Sequence, residues 1–160
     1  MNDVKMSVVA ASETPQIEEI PTDRLKRWKK NARTHSEKQV RQIADSIQEF
    51  GFINPVLIDG GGTILAGHGR VAAAKKLGFE TVLCVRFDHL SETQKRAYVL
   101  AANKLALNAG WDEDLLGEEL EALMEIDDGI DLSLTGISFS EIDNLIDGLA
   151  PEDEGDPRLL

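Results

Sequence analysis

Cys84 is the only cysteine in the 160 residues. A lone thiol excludes an internal disulfide and a cysteine-based zinc site. Its setting, Val82-Leu83-Cys84-Val85, is that of a buried, inert thiol rather than a nucleophile. No apolar run approaches the roughly 20 residues that a membrane span requires. Residues 1–13 lack the basic-then-apolar order of a secretion signal, so the expected compartment is the cytoplasm. No segment repeats another. Basic residues are nearly missing from the last fifty positions, where seventeen acids stand against Arg158 alone. That end of the chain would repel phosphates and favour solubility.

The positive charge is concentrated elsewhere. Residues 22–41 hold Arg24, Lys26, Arg27, Lys29, Lys30, Arg33, Lys38 and Arg41 against Asp23 and Glu37. The overall charge of -12 therefore conceals a basic segment and an acidic end with different roles. Lys26-Arg27-Trp28-Lys29-Lys30 places an aromatic among cations, a composition that suits nucleic acid as well as a solvated face.

Local patterns predict the elements. A first strand is expected at 17–20, then a turn or short helical piece from Pro21 to near Trp28. Ser36 and Gln39 form a capping box. Val40, Ile43, Ala44, Ile47 and Phe50 follow at helical spacing as far as Gly51, a C-cap glycine. Residues 52–58 read as a strand disturbed by Pro55. Asp59-Gly60-Gly61-Gly62 turns the chain back into a strand at 63–66. A helix over 70–77 stops at Gly78, and a strand is expected over 80–87. Ser91-Glu92-Thr93-Gln94 caps a helix to about Asn108. A further helix runs from Trp111 to about Ile126, with Leu115, Leu116, Leu120 and Leu123 on its apolar side and Trp111 and Leu115 in a core. A last helix is expected over 140–149. The expected organisation is a flexible tail at 1–16, an α/β core with a small mixed sheet at 17–90, appended helices at 91–126, and an acidic helical segment and linker at 127–160.

The candidate site is Gly67-His68-Gly69-Arg70, where a strand runs into a helix. Glycines allow close backbone approach. The first helical turn offers unpaired N–H groups and the positive end of the dipole. With His68 and Arg70 this makes a phosphate site, unless Arg70 only pairs a surface carboxylate. His68 is the best general-base candidate because its ordinary pKa is near neutral. His35 and His89 read as surface or capping residues. Acids are sparse in the core: Asp45 and Glu49 lie on an exposed helix side, Asp59 in a turn, and Asp88 at a strand end.

Asn31-Ala32-Arg33, the capped helix, Gly51-Phe52-Ile53-Asn54-Pro55-Val56, Gly67-His68-Gly69-Arg70-Val71-Ala72-Ala73 and Ala101-Ala102-Asn103-Lys104-Leu105-Ala106-Leu107-Asn108 come in the order seen in ParB-like domains. Over residues 17–125 the chain resembles the phage and mobile-element type that often precedes a DNA methyltransferase. The resemblance implies the ParB/sulfiredoxin fold, binding of DNA, and a nucleoside triphosphate (CTP or ATP) with Mg2+. Gly67, His68, Gly69, Arg70, Asn103, Lys104 and Arg33 would hold the nucleotide, and Lys26, Arg27, Lys29, Lys30 and Arg33 the nucleic acid. Some members of the family are described as nucleases, so a nuclease or nucleoside triphosphatase using His68 is the alternative, with an interaction domain of a fused or associated DNA methyltransferase, or a homodimer, as a third.

The chain departs from the family pattern in informative ways. Partition proteins read Gly-Glu-Arg-Arg where this chain has Gly67-His68-Gly69-Arg70, and Ala102 replaces the glutamate that would help hold magnesium. In sulfiredoxins a cysteine stands at the position of His68, so that reductase chemistry is not expected here. Residues 126–160 read as too short and acidic for a helix-turn-helix plus a dimerisation domain, so sequence-specific duplex reading from within the chain is not expected either. The glycine-rich cofactor loop of a methyltransferase is absent. The chain is then either a fragment ending in a linker or a stand-alone accessory module.

Overall fold

The computed structural model describes residues 14–126 and 128–149. Most of the expected N-terminal tail and nearly all of the acidic linker lie outside them. The described residues divide into two compact units that meet between Asn108 and Ala109.

The first unit is built on a four-stranded mixed sheet of order β1-β4-β2-β3, with β1 at Ile17–Pro21, β2 at Val56–Asp59, β3 at Ile64–Ala66 and β4 at Thr81–Phe87. β1 and β3 pair antiparallel to their neighbours, while β2 and β4 run parallel. A parallel pair needs a crossover, and α2 (His68–Lys76) supplies it. The α/β expectation with a mixed sheet is met. Sheet and α2 enclose Val56, Ile58, Ile64, Val71, Ala74, Val82 and Cys84. The buried Cys84 thiol is pushed above its ordinary pKa, chiefly by desolvation. It is an inert core residue, as expected.

Helix α1 (Glu37–Phe50) has the expected ends. Ser36 Oγ accepts from Gln39 N at 3.1 Å, Gln39 Oε1 accepts from Ser36 N at 3.3 Å, and Gly51 takes φ +88°. Its apolar face (Ala44 and Ile47, with Val40 and Ile43) packs on Ala73 of α2. α3 (Glu92–Asn108) begins at the Ser91/Gln94 box. Within it only Val99 is buried, and Leu100, Leu105 and Leu107 are exposed.

Two local expectations are corrected. The piece after Pro21 ends at Arg24 as a single 3-10 turn. Lys26 then bridges to Thr63, so the chain is extended before Trp28. The strand expected from 52 starts only at Val56. Phe52 instead turns inward, where it packs against both apolar clusters, and Pro55 has no N–H for a ladder.

Asp59 is no turn-surface acid. It ends β2 and is only 8% exposed. Its Oδ1 accepts from Gly61 N at 3.0 Å and Thr63 N at 2.8 Å, and Oδ2 meets Lys95 Nζ at 3.1 Å. Burial raises its pKa, but the bonds from Thr63, Lys95 and Gly61 outweigh burial and hold the carboxyl below its ordinary range. Asp59→Ala leaves two amides without acceptors and is expected to cost about 3 kcal/mol in denaturant unfolding. Because the folded pKa is depressed, this stabilisation is complete above the unfolded value of about 4 and fades as pH falls below it. Unfolding curves of Asp59→Ala should therefore lose that part of the acid sensitivity. A variant with wild-type stability would contradict this role.

The second unit holds α4 (Glu113–Glu125), a 3-10 turn at Leu132–Thr135 and α5 (Phe139–Asp147). Asp112 caps α4 through Leu115 N at 3.1 Å, and Ser138 with Glu141 boxes the start of α5. The two helices touch at Gly117, where a Cβ would stand 2.9 Å from the Leu145 carbonyl oxygen. Leu120 and Ile142 are buried. Trp111 and Leu115 are not core residues: they are 73% and 63% exposed. Trp111 precedes the cap, and Leu115 lies one helical step off the face carrying Leu116, Gly117, Leu120 and Leu123.

Candidate nucleotide and nucleic-acid site

β3 ends at Ala66, and Gly67 makes the junction with α2 in the left-handed region, φ +109°. The helix starts at His68, two residues earlier than the expected 70–77. The first helical bond runs from Val71 N to Gly67 O at 3.0 Å. The amides of His68, Gly69 and Arg70 therefore have no acceptor within the helix. Gly69 brings α2 against α1 and the loop before it, because a Cβ there would stand 2.9 Å from Ile43 Cδ1 and 3.1 Å from His35 Cε1.

The Arg70 guanidinium folds back over Gly67. One Nη donates to Pro55 O at 3.1 Å, and the buried Nε has no partner among the described residues. No carboxylate among them pairs with it. Burial lowers its pKa, but a guanidinium stays charged at neutral pH. A partly buried cation without a counter-ion is costly and marks a place for an anion. The Gly67 junction depends on the missing side chain, since a Cβ would lie 2.9 Å from the Arg70 guanidinium. Gly67→Ala is thus expected to cost about 1–3 kcal/mol in unfolding experiments and to displace Arg70. An unchanged unfolding midpoint would contradict the reading.

Gly67, His68, Gly69, Arg70, Arg33 and Asn103 surround one cavity of about 230 Å³. Asn103 spends its Nδ2 on Val99 O at 2.8 Å. Lys104 is not in this wall; it lines an adjoining cavity of about 210 Å³ with Arg33 and Asn103. A third cavity, about 430 Å³, has cations at Arg27, Arg33 and Lys75 and apolar walls from Leu25, Val40 and Val71. Among the described residues no carboxylate lines any of the three.

His68 lines the first and third cavities. Its Nε2 accepts from Trp28 N at 3.2 Å, which leaves Nδ1 to carry the hydrogen of the neutral ring. Burial, then the charges on Arg27 and His35, hold its pKa below the ordinary histidine value. His35 is corrected from a surface or capping residue to a wall of both cavities. Asn31 joins it there, and Lys75 lines the 430 Å³ cavity. Sequence reasoning missed all three as cavity residues. Only their nearness to Arg33 and to the Gly67 turn hinted at His35 and Asn31. Of the basic segment, Lys26, Arg27, Lys29 and Lys30 are exposed, and Arg27 alone of these four also reaches a cavity.

Residues 6–104 match the family model of the ParB N-terminal domain, and residues 114–158 that of the ParB-methyltransferase HTH domain. The second match is to a helix-turn-helix domain alone, where 126–160 was expected to be too short and acidic for that plus a dimerisation domain, and it begins within α4, well before residue 126. The chain is similar to the ParB-like nuclease domain-containing protein YnaK of Escherichia coli, 46% identical over 85 residues, which are 53% of this chain and 98% of that protein. It is also similar to the chloroplastic/mitochondrial sulfiredoxin of Arabidopsis thaliana, 30% identical over 73 residues, 44% of this chain and 58% of that protein. A similar solved structure is the C-terminally truncated chromosome-partitioning protein ParB from Caulobacter crescentus complexed with CTP-gamma-S. It has a TM-score of 0.59 and 22% identity, with 82% of this chain and 71% of that chain covered. This likeness is one of fold.

Proposed function

The chain belongs to the ParB N-terminal domain family, and from that premise we propose that it is a nucleotide-binding and DNA-binding module that seats phosphates at the start of α2. The observation that carries this reading is Arg70, partly buried with an Nε that has no partner among the described residues, beside three amides that have no acceptor within α2. A polyphosphate is the anion such a cradle fits. Arg33 adds a second charge in the same wall. The adjoining 430 Å³ cavity has room and apolar surface for a base and ribose. The Caulobacter crescentus relative is complexed with CTP-gamma-S, which supports CTP as the first ligand to try.

Magnesium held by the protein does not fit this site. Its walls contain no carboxylate, and the position lining it beside Asn103 is Ala102. The cations neutralise the phosphates instead. Calorimetry at low salt should show micromolar CTP binding that is equal with magnesium and with EDTA. Binding that disappears in EDTA would contradict the metal-independent reading, and no binding under either condition would contradict the nucleotide site.

DNA is met by the basic segment. The region 111–149 contains no lysine or arginine, and α5 presents Glu141, Asp143 and Asp147. Without lysine or arginine this region lacks the charge-neutralising phosphate contacts that contribute most to DNA affinity. Lys26, Arg27, Lys29 and Lys30 can. The name of the second family model supports a DNA methyltransferase as fused or associated partner. A nuclease or triphosphatase role for His68 requires a free ring nitrogen as base, and the Trp28 amide occupies Nε2. Turnover of nucleotide or DNA lost in His68→Ala would overturn the binding-only reading.

A further inference from the structure

The basic segment is held to the core at two points. Lys26 exchanges backbone bonds with Gly62 and Ile64, at 3.0 and 2.8 Å, next to the buried Leu25. Two residues later the Trp28 amide donates to His68 Nε2, and Asn31 N then closes a turn on Trp28 O at 3.1 Å. Arg27, Lys29 and Lys30 thus flank a bond whose acceptor is the first residue of α2, in the wall of the phosphate cavity. An imidazole nitrogen accepts only while unprotonated; in the imidazolium both nitrogens donate. Protonation would set one N–H against another, and the bond would be lost.

We propose that His68 is a latch on the basic segment: the neutral ring holds residues 27–33 to the core, and a proton, or an anion in the cavity that favours the imidazolium, releases them. The anion arm rests on the phosphate site proposed above; the proton arm does not. The groups facing His68 are Arg27 and Arg33 from the basic segment and its loop, His35 ahead of α1, and Arg70 and Lys75 of α2. All are cationic or neutral, so among the described residues nothing around the ring holds a proton on it, and the latch is closed at neutral pH. A bound phosphate brings the negative charge that these walls lack and reverses the balance. By linkage, whatever favours the released segment would favour the anion by the same factor.

Nuclear magnetic resonance of the full chain labelled with 15N-tryptophan tests this. The chain has two tryptophans, and Trp28→Phe identifies the signal. As the pH falls below the ordinary histidine value of about 6.5, the Trp28 amide should shift together with the His68 ring protons. Its exchange, corrected for the intrinsic rate, should accelerate at least about tenfold. In His68→Gln, whose side-chain oxygen accepts without titrating, the transition should vanish. A Trp28 amide that is indifferent to His68 titration overturns the latch, as does one that moves identically in His68→Gln. If that variant does not fold, the wild-type titration alone decides. With saturating CTP the midpoint should move to higher pH. An unmoved midpoint with CTP bound by calorimetry overturns the anion arm. Absence of CTP binding overturns the phosphate site, and the CTP-free titration still judges the latch.

Discussion

Arg70→Ala is expected to weaken CTP binding by roughly 100-fold, the size of a lost charge-assisted hydrogen bond to phosphate. The fold should survive the change. The variant gives up one bond, from the guanidinium to Pro55 O, but it also removes a partly buried charge with no carboxylate partner among the described residues. Removing an uncompensated charge offsets the loss of its bond to the Pro55 carbonyl, so the unfolding midpoint should stay level or rise. A binding residue is recognised by that combination of weaker ligand binding and undiminished stability. Arg70→Lys should be intermediate, because an ammonium keeps the charge but not the planar fork. Calorimetry paired with thermal unfolding checks both variants. Unchanged affinity in a folded Arg70→Ala protein would remove Arg70 from the site.

Replacing Lys26, Arg27, Lys29 and Lys30 together by alanine should reduce duplex DNA affinity at low salt by at least about 100-fold. If each side chain neutralises one phosphate, the slope of log affinity against log salt should also flatten by about 3–4. The four side chains are exposed, and Lys26 holds the segment through backbone atoms that alanine retains. Fluorescence anisotropy over a salt series reads both quantities. An unchanged slope would mean that the duplex contacts lie elsewhere, and the acidic second unit would then need a cationic partner to reach DNA.

The parts of this protein that local chemistry determines were readable in the sequence. Ser36 with Gln39 and Gly51 mark both ends of α1 without any tertiary contact, and Gly67 marks the turn that exposes the first amides of α2. The run from Phe52 to Pro55 was misread because β-rich composition cannot show that Phe52 serves two apolar clusters. Leu115 was misplaced because its exposure depends on where α5 lies around α4, a matter of helix phase and partner rather than of apolar character. The pairing of Asp59 with Lys95 joins positions far apart in sequence, so neither residue announced the other. His35 reached the cavity wall only because Gly69 has no side chain to exclude it. The helix-turn-helix match was missed because its acidity was weighed against a DNA role, and because it begins in α4. Within the candidate site, the turn at Gly67 and the placing of His68 and Arg70 at the start of α2 were legible. The bond from Trp28 to His68 was not, since a backbone amide leaves no trace in residue type.

The central claim is that anions are held at the junction of β3 and α2. Titration of CTP into the uniformly 15N-labelled chain, followed by amide shifts, tests it most directly. The account predicts that the largest shifts fall on His68, Gly69 and Arg70, with a second group at Arg33 and Asn103. Shifts confined to other surfaces, or none at saturating CTP, would contradict it.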